Sequence, residues 1–180
     1  AKSLSDWAQG DLIRLQCYEG IDSNQAVYEW DYARQLLHLR TAEASGRTQD
    51  LSSDTLEGEL YDERFLIRRP LLQALSVKND PPPVLLIDEI DRADDEFEAF
   101  LMEILSEYSI TIPELGTYSS EVKPVVVITS NRTRDLHDAL KRRCFYHWVE
   151  HPDVEREVEI IRIRAPKVPL LLAEEVAKAA

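Results

Sequence analysis

Two hydrophobic periods alternate along this chain. The apolar runs Val84–Ile87 (VLLI) and Val125–Ile128 (VVVI), bounded by turn-forming or polar residues, read as strands buried on both faces. Asp11–Tyr18 alternates more loosely and predicts another strand, and the aromatic-rich Phe145–Val149 predicts a further one. Spacings of three and four predict helices elsewhere. Asn24–Arg40 carries Val27, Trp30, Ala33 or Arg34, and Leu37 on one face, with Asn24 as its cap. Asp62–Leu75 continues through Phe65, Leu66, Leu72 and Leu75, with Pro70 placed to kink or split it. Asp94–Tyr108 turns Phe97, Phe100, Leu101, Ile104 and Leu105 inward. Shorter helices are predicted at Lys2–Gln9, ended by Gly10 at C′, at Arg134–Lys141, at Asp153–Arg164 and from Leu170 to Ala180. Residues 41–60 are polar and read as an inserted loop, and Pro113–Gly116 sits at the tip of a hairpin spanning 109–122. Strands alternating with helices give the α/β class with a mostly parallel sheet.

Composition narrows this picture. With 180 residues, 44% of them hydrophobic, the chain can bury a real core as one domain or one domain with an appendage. Its 34 acidic against 21 basic residues give a net charge of −13, which argues against a general nucleic-acid binder. The apolar runs fall far short of the roughly 20 residues of a membrane-spanning helix, and no basic-then-apolar leader is present, so a cytoplasmic protein is expected. Two cysteines, Cys17 and Cys144, are too few for a disulfide framework or a zinc cage. The chain starts at Ala1 in what reads as the middle of a helix, so a fragment is expected.

The candidate chemistry lies at strand ends. Val84–Ile87 runs directly into Asp88-Glu89, and four apolar residues followed by Asp-Glu form the Walker B pattern of nucleotide hydrolases. One carboxylate holds Mg²⁺ and the next orients or deprotonates the attacking water. Asp91, Asp94 and Asp95 follow, and acids also favour helix N-termini, which is the reading for Asp94 and Asp95. The second buried strand ends in Thr129-Ser130-Asn131, where a small amide could hydrogen-bond a terminal phosphate or the attacking water. Alone, Ser-Asn after a strand is usually a turn or helix cap; about 40 residues after a Walker B strand, separated by a helix and a hairpin, it becomes a strong second element. Arg132 and Arg134 read as surface or capping charges. Ala139–Arg143 (ALKRR) is open to two readings, cations at a helix C-terminus or an arginine finger reaching a neighbour's nucleotide.

In this order the motifs resemble the AAA+ ATPases, and the MoxR family in particular. The resemblance rests on VLLIDE (84–89) as Walker B, VVVITSN (125–131) as the strand into sensor 1, and ALKRR (139–143) as the arginine-finger box. LQCYEGIDSNQAVYEW (15–30), with the insert after it, is similar to that family's helix-2 insertion, and ITIPELGT (110–117) to its hairpin before sensor 1. The resemblance implies a three-layer parallel-sheet P-loop NTPase core over 1–164, incomplete at its N-terminus, and the start of a helical lid over 165–180. It implies ATP and Mg²⁺ as cofactors, with Asp88 at the metal, Glu89 as water-polarising base, Asn131 as sensor 1, and Arg143 or Arg142 acting in trans. It also implies a ring, commonly a hexamer, a partner with a von Willebrand A-type domain, and client proteins or metalloenzymes under maturation. No Gly-x-x-x-x-Gly-Lys-Ser/Thr occurs among these residues, so the 180 residues alone are expected to bind ATP poorly. A degenerate AAA+ module that only scaffolds an assembly is the competing expectation.

Other motifs carry less. His147-Trp-Val-Glu150-His151 matches the H-x-x-E-H string of zinc proteases, but an extended segment spreads such residues over roughly 13 Å, too far for one ion. Asp88-Glu-Ile-Asp91 resembles the D-E-x-D signature of helicases, yet no basic, aromatic-interleaved stretch is present for a nucleic-acid strand to track. Trp7, Trp30 and Trp148 are expected in the core.

Overall fold

In chain order the elements are α1 (Lys2–Ala8), β1 (Leu12–Gln16), α2 (Ser23–Val27), β2 (Tyr28–Trp30), α3 (Tyr32–Ala44), β3 (Leu66–Arg68), α4 (Pro70–Leu75), β4 (Val84–Asp88), α5 (Asp95–Glu107), β5 (Ser109–Ile112), β6 (Gly116–Ser119), β7 (Val125–Ile128), α6 (Asp138–Arg143), α7 (Val154–Arg164) and α8 (Leu170–Ala179). The computed structural model describes residues 1–45, 58–78 and 80–179, so most of the polar stretch expected as an insert at 41–60 lies outside the described residues.

The sheet at the heart of the fold is parallel, in the order β1-β4-β7. β4 is central, and Val84, Leu85 and Ile87 are buried, which is why its sequence shows no polar alternation. Leu12–Gln16 pairs with Val84–Asp88, and Val84–Ile87 with Val125–Ile128. The register brings all three strands to an end at one edge, where Gln16 stands beside Asp88 and Thr129 follows Ile128. Leu71, Leu72 and Leu75 of α4 and Phe97, Leu101 and Ile104 of α5 share one core with Leu85 and Ile87. Asp94 caps α5, its side chain accepting from the Phe97 N–H. The hairpin β5–β6 pairs Ser109–Ile112 with Gly116–Ser119. No helix among the described residues is long and apolar enough to cross a membrane.

Several expected elements differ, each for a local reason. The expected helix 24–40 is two helices separated by β2, because Asp22 forms a capping box with Gln25 and Asp31 caps a second start. The expected helix 62–75 is a 3₁₀ turn (Glu63–Phe65), then β3 paired antiparallel with β2, then α4 with Pro70 in its first turn, where the missing N–H has no cost. The helix expected at 134–141 starts at Asp138 instead, because the preceding loop is fastened to other elements. Phe145–Val149 forms no strand, and Phe145, Tyr146 and Val149 are exposed; a strand exists only within a ladder, and no partner strand pairs here among the described residues. Trp30 is buried, whereas Trp7 and Trp148 are exposed.

The chain forms two compact units, Ala1–Arg143 and Cys144–Ala180. In the second, α7 and α8 pack on each other, and Asp153 caps α7 by accepting from the Arg156 N–H.

Gly10 matters for a reason other than helix termination. The left-handed residue ending α1 is Gln9, at φ 57°, whereas a Cβ on Gly10 would lie 2.0 Å from the Pro82 carbonyl oxygen. Gly10→Ala should therefore lower stability by about 1–3 kcal/mol, as backbone must move to admit the methyl group. Gln9→Gly should be neutral or stabilising by up to about 1 kcal/mol. Urea unfolding of both variants checks the pair, and a neutral Gly10→Ala would contradict the close approach.

Candidate active site

Asp88 is the last residue of β4 and faces donors from both flanking strands. Its Oδ1 accepts from the Thr129 hydroxyl at 2.5 Å, just past β7. Its Oδ2 accepts from Arg14 of β1, Nε at 3.0 Å and Nη2 at 2.5 Å. The Thr129 hydrogen bond, then Arg14, hold the Asp88 carboxyl below the usual carboxylate range against the opposing effect of burial. Asp88 is therefore a carboxylate at neutral pH.

Glu89 turns the chain away from the sheet. Its φ of 55° lies in the left-handed region, a conformation costing a non-glycine residue about 1–2 kcal/mol. Its N–H donates to Thr129 Oγ1 at 3.0 Å, so one hydroxyl serves both acids, accepting from Glu89 and donating to Asp88. The Glu89 side chain is held from three directions. Oε2 accepts from Gln16 Nε2 at 3.2 Å and pairs with Arg92 Nε at 2.8 Å, and Oε1 accepts from Asn131 Nδ2 at 3.3 Å. Asp88, Glu89 and Asn131, separated in sequence, thus share one hydrogen-bonded cluster at the carboxyl ends of adjoining parallel strands. That is where ligands bind in open α/β sheets.

A carboxylate that sequence reasoning assigned no role lies directly beneath. Asp91 is only 3% exposed. Its Oδ1 accepts from the Asn131 N–H at 3.1 Å, and its Oδ2 from the Thr133 N–H at 2.9 Å and the Thr133 hydroxyl at 2.6 Å. Burial alone would raise its pKa, but the Thr133 and Asn131 hydrogen bonds outweigh it and lower the pKa to about 2. Arg134, expected as a surface or capping charge, is a second fastening. It donates to the Ala93 carbonyl through Nε at 2.9 Å and Nη2 at 2.6 Å, pairs with Asp95 at 3.0 Å, and forms an ion pair with Glu98, which is 1% exposed. Glu98 also accepts from the His137 N–H at 3.0 Å. The one sequence signal for Glu98 was its place one residue after Phe97 on the inward side of α5.

Comparison with known proteins fits this arrangement. The family model described as AAA domain (dynein-related subfamily) matches residues 15–144. The chain belongs to that family. The AAA domain also shares its fold with a crystal structure of a "putative ATPase" from Cytophaga hutchinsonii, with a TM-score of 0.55 at 17% identity over 94% of this chain. It spans 44% of the length of that protein. No protein of curated function matches it.

AAA domains bind nucleotide, typically with Mg²⁺, and the donor set of this AAA domain fits a cation shared with phosphates. Cys17, buried below the strand ends, has its thiol pushed up to about 12 by burial and then by Asp88, Asp91 and Glu89, which records a concentrated negative field. No group of three or more His, Cys, Asp or Glu side chains converges as a metal cage among the described residues. Mg²⁺ needs none, since it is commonly held by one or two carboxylates together with substrate phosphates and water. Arg142 and Arg143 lie on the last turn of α6. Arg143 donates to the Met102 carbonyl at 3.2 Å and to the Ser106 hydroxyl, both on α5, rather than to the Asp88–Glu89–Asn131 cluster. His147, Glu150 and His151 lie outside any helix.

Two predictions follow from the buried acids. Because the Asp91 pKa is depressed on folding, its contribution, about 2 kcal/mol, is complete above about pH 5 and is lost as pH falls toward 2. Asp91→Asn should flatten that part of the stability–pH curve, and an unchanged slope between pH 5 and 2 would contradict the assignment. Arg134→Ala leaves Glu98 buried without its cation and should cost about 3–5 kcal/mol in chemical unfolding. A loss under about 1 kcal/mol would show that Glu98 is satisfied without Arg134.

Proposed function

We propose that this AAA domain is the hydrolytic core of a MoxR-type ATPase, a chaperone-like machine that couples ATP hydrolysis to remodelling or maturation of client proteins. The observation that carries the reading is the cluster in which Glu89 Oε1 meets Asn131 Nδ2 at 3.3 Å beside the ionised Asp88. An acid for the metal, an acid for the water and an amide for the phosphate are the parts that phosphoryl transfer to water requires.

Within this reading Asp88 would hold Mg²⁺, and the ion would supply neutralisation of charge on the phosphates. Glu89 accepts the hydrogen bond of the attacking water and takes its proton. Asn131 releases Glu89 to orient that water or the terminal phosphate. Gln16 and Arg92 aim the Glu89 carboxylate, and Thr129 fixes the backbone from which it projects. Arg143, or Arg142 beside it, supplies a guanidinium to the nucleotide of a neighbouring subunit, and a homo-oligomeric ring, a hexamer by family precedent, brings the two together. Movement of the hairpin β5–β6 against a client follows release of phosphate. A partner bearing a von Willebrand A-type domain and a metalloenzyme client complete the proposal, and the cytoplasm is its setting.

Mutation of the intact protein tests the reading. Glu89→Gln should lower ATP turnover by about 10²- to 10⁴-fold while ATP still binds. Arg143→Ala should remove most turnover with nucleotide binding retained, and loss only in assembled rings would identify its action in trans. Wild-type protein without turnover would favour the scaffold reading instead, and variants with wild-type rates would overturn the roles given to Glu89 and Arg143.

A further inference from the structure

We propose that Asp91 is a positioning residue that sets Asn131 against Glu89 through the backbone of the loop following β7. The inference rests on Glu89 and Asn131 being the hydrolytic pair.

Asp91 lies in the 3₁₀ turn Ile90–Arg92, immediately after Glu89, and is buried. Its two carboxylate oxygens accept N–H groups two residues apart, Asn131 at 3.1 Å and Thr133 at 2.9 Å, and the Thr133 hydroxyl at 2.6 Å closes the clamp. Between these anchors Arg132 holds φ 57°, left-handed backbone that a non-glycine residue keeps only when its neighbours are fixed. The same loop is fastened again at Thr129, whose carbonyl accepts from the Ile90 N–H at 3.0 Å. The Asn131 backbone is thus located from Asp91, while its side chain reaches Glu89 Oε1. Residues 89 and 91, on one turn, hold the two ends of the same asparagine. Movement of the 129–133 loop would shift Nδ2 relative to Glu89, and misplacement by about 1 Å is enough to cost about 100-fold in rate.

Asparagine at 91 keeps the shape but offers one acceptor oxygen in place of two, and turns an amide NH₂ toward an N–H or a hydroxyl. A residue that only stabilised the fold would lower turnover through the folded fraction, and its effect would multiply with that of any other substitution. A residue acting through Asn131 has nothing left to do once that amide is gone.

A double-mutant cycle on the intact protein separates the two. Asp91→Asn should lower kcat at least about 10-fold with KM for ATP within about 2-fold. The double variant Asp91→Asn/Asn131→Ala should then be no slower than Asn131→Ala alone. Amide hydrogen exchange without nucleotide should rise at Asn131 and Thr133 in Asp91→Asn, while exchange within β4 stays unchanged. Should Asp91→Asn fail to fold, Thr133→Val takes its place in the same cycle, with a smaller loss that Thr133→Ser restores. Losses that multiply in the double variant, or a folded Asp91→Asn (or Thr133→Val) with wild-type kcat, overturn the positioning role while leaving the hydrolytic reading in place. Wild-type protein without ATP turnover, or Asn131→Ala without effect, overturns that reading and this inference with it.

Discussion

The Thr129 hydroxyl stands at the junction on which the site depends. β4 and β7 run parallel and in register, so β7 releases the chain one residue beyond the Ile87–Ile128 pair, level with Asp88. There the hydroxyl donates to Asp88 and accepts from the N–H of Glu89. A single oxygen thereby holds one carboxyl below the usual carboxylate range and satisfies the backbone of the other acid in a conformation disfavoured for glutamate. The hydrophobic pairing of two short valine- and leucine-rich strands fixes the register, and the register fixes the chemistry. Burial of Leu85 and Ile87 against α4 and α5 makes that pairing rigid.

Electrostatics explains why the cluster is poised. Asp88, Glu89 and Asp91 crowd the end of one strand, a field strong enough to register on the buried Cys17 thiol. Each acid is balanced differently. Asp88 is paired with Arg14, Glu89 with Arg92 and two amides, and Asp91 with backbone N–H groups and a hydroxyl alone. Arg14 is more than half exposed, so its attraction for Asp88 is screened by water. Asp91 differs, because its partners are two main-chain N–H groups and the Thr133 hydroxyl and it is buried. Asp88 and Asp91 are thus distinguished by exposure and by the kind of partner.

The sequence made the parallel sheet and three members of the cluster legible because each lies at the end of an uninterrupted apolar run. Asp88 and Glu89 follow directly from Val84–Ile87 and Asn131 lies three residues past Ile128, while α5 followed from clean periodicity and the hairpin from the turn residues 113–116. Asp91 was not legible as a clamp, since its role depends on N–H groups some forty residues away whose direction no side-chain pattern records. Arg134 and Glu98 were hidden for a related reason, as charged residues in a helical pattern read as surface until a partner buries them. The misread helix 24–40 carried its own warning in two aspartates, Asp22 and Asp31, each able to start a helix. Phe145–Val149 has strand composition without a strand, which shows that β-propensity is completed only by a neighbouring edge.

The most direct test of the account is a crystal structure of the intact protein with Mg²⁺ and a non-hydrolysable ATP analogue. The account predicts the terminal phosphate at the carboxyl ends of β4 and β7, with the metal facing Asp88 and with Glu89 and Asn131 turned to the phosphate. Nucleotide bound elsewhere, with Asp88 still paired to Arg14 and the cluster unchanged, would contradict it.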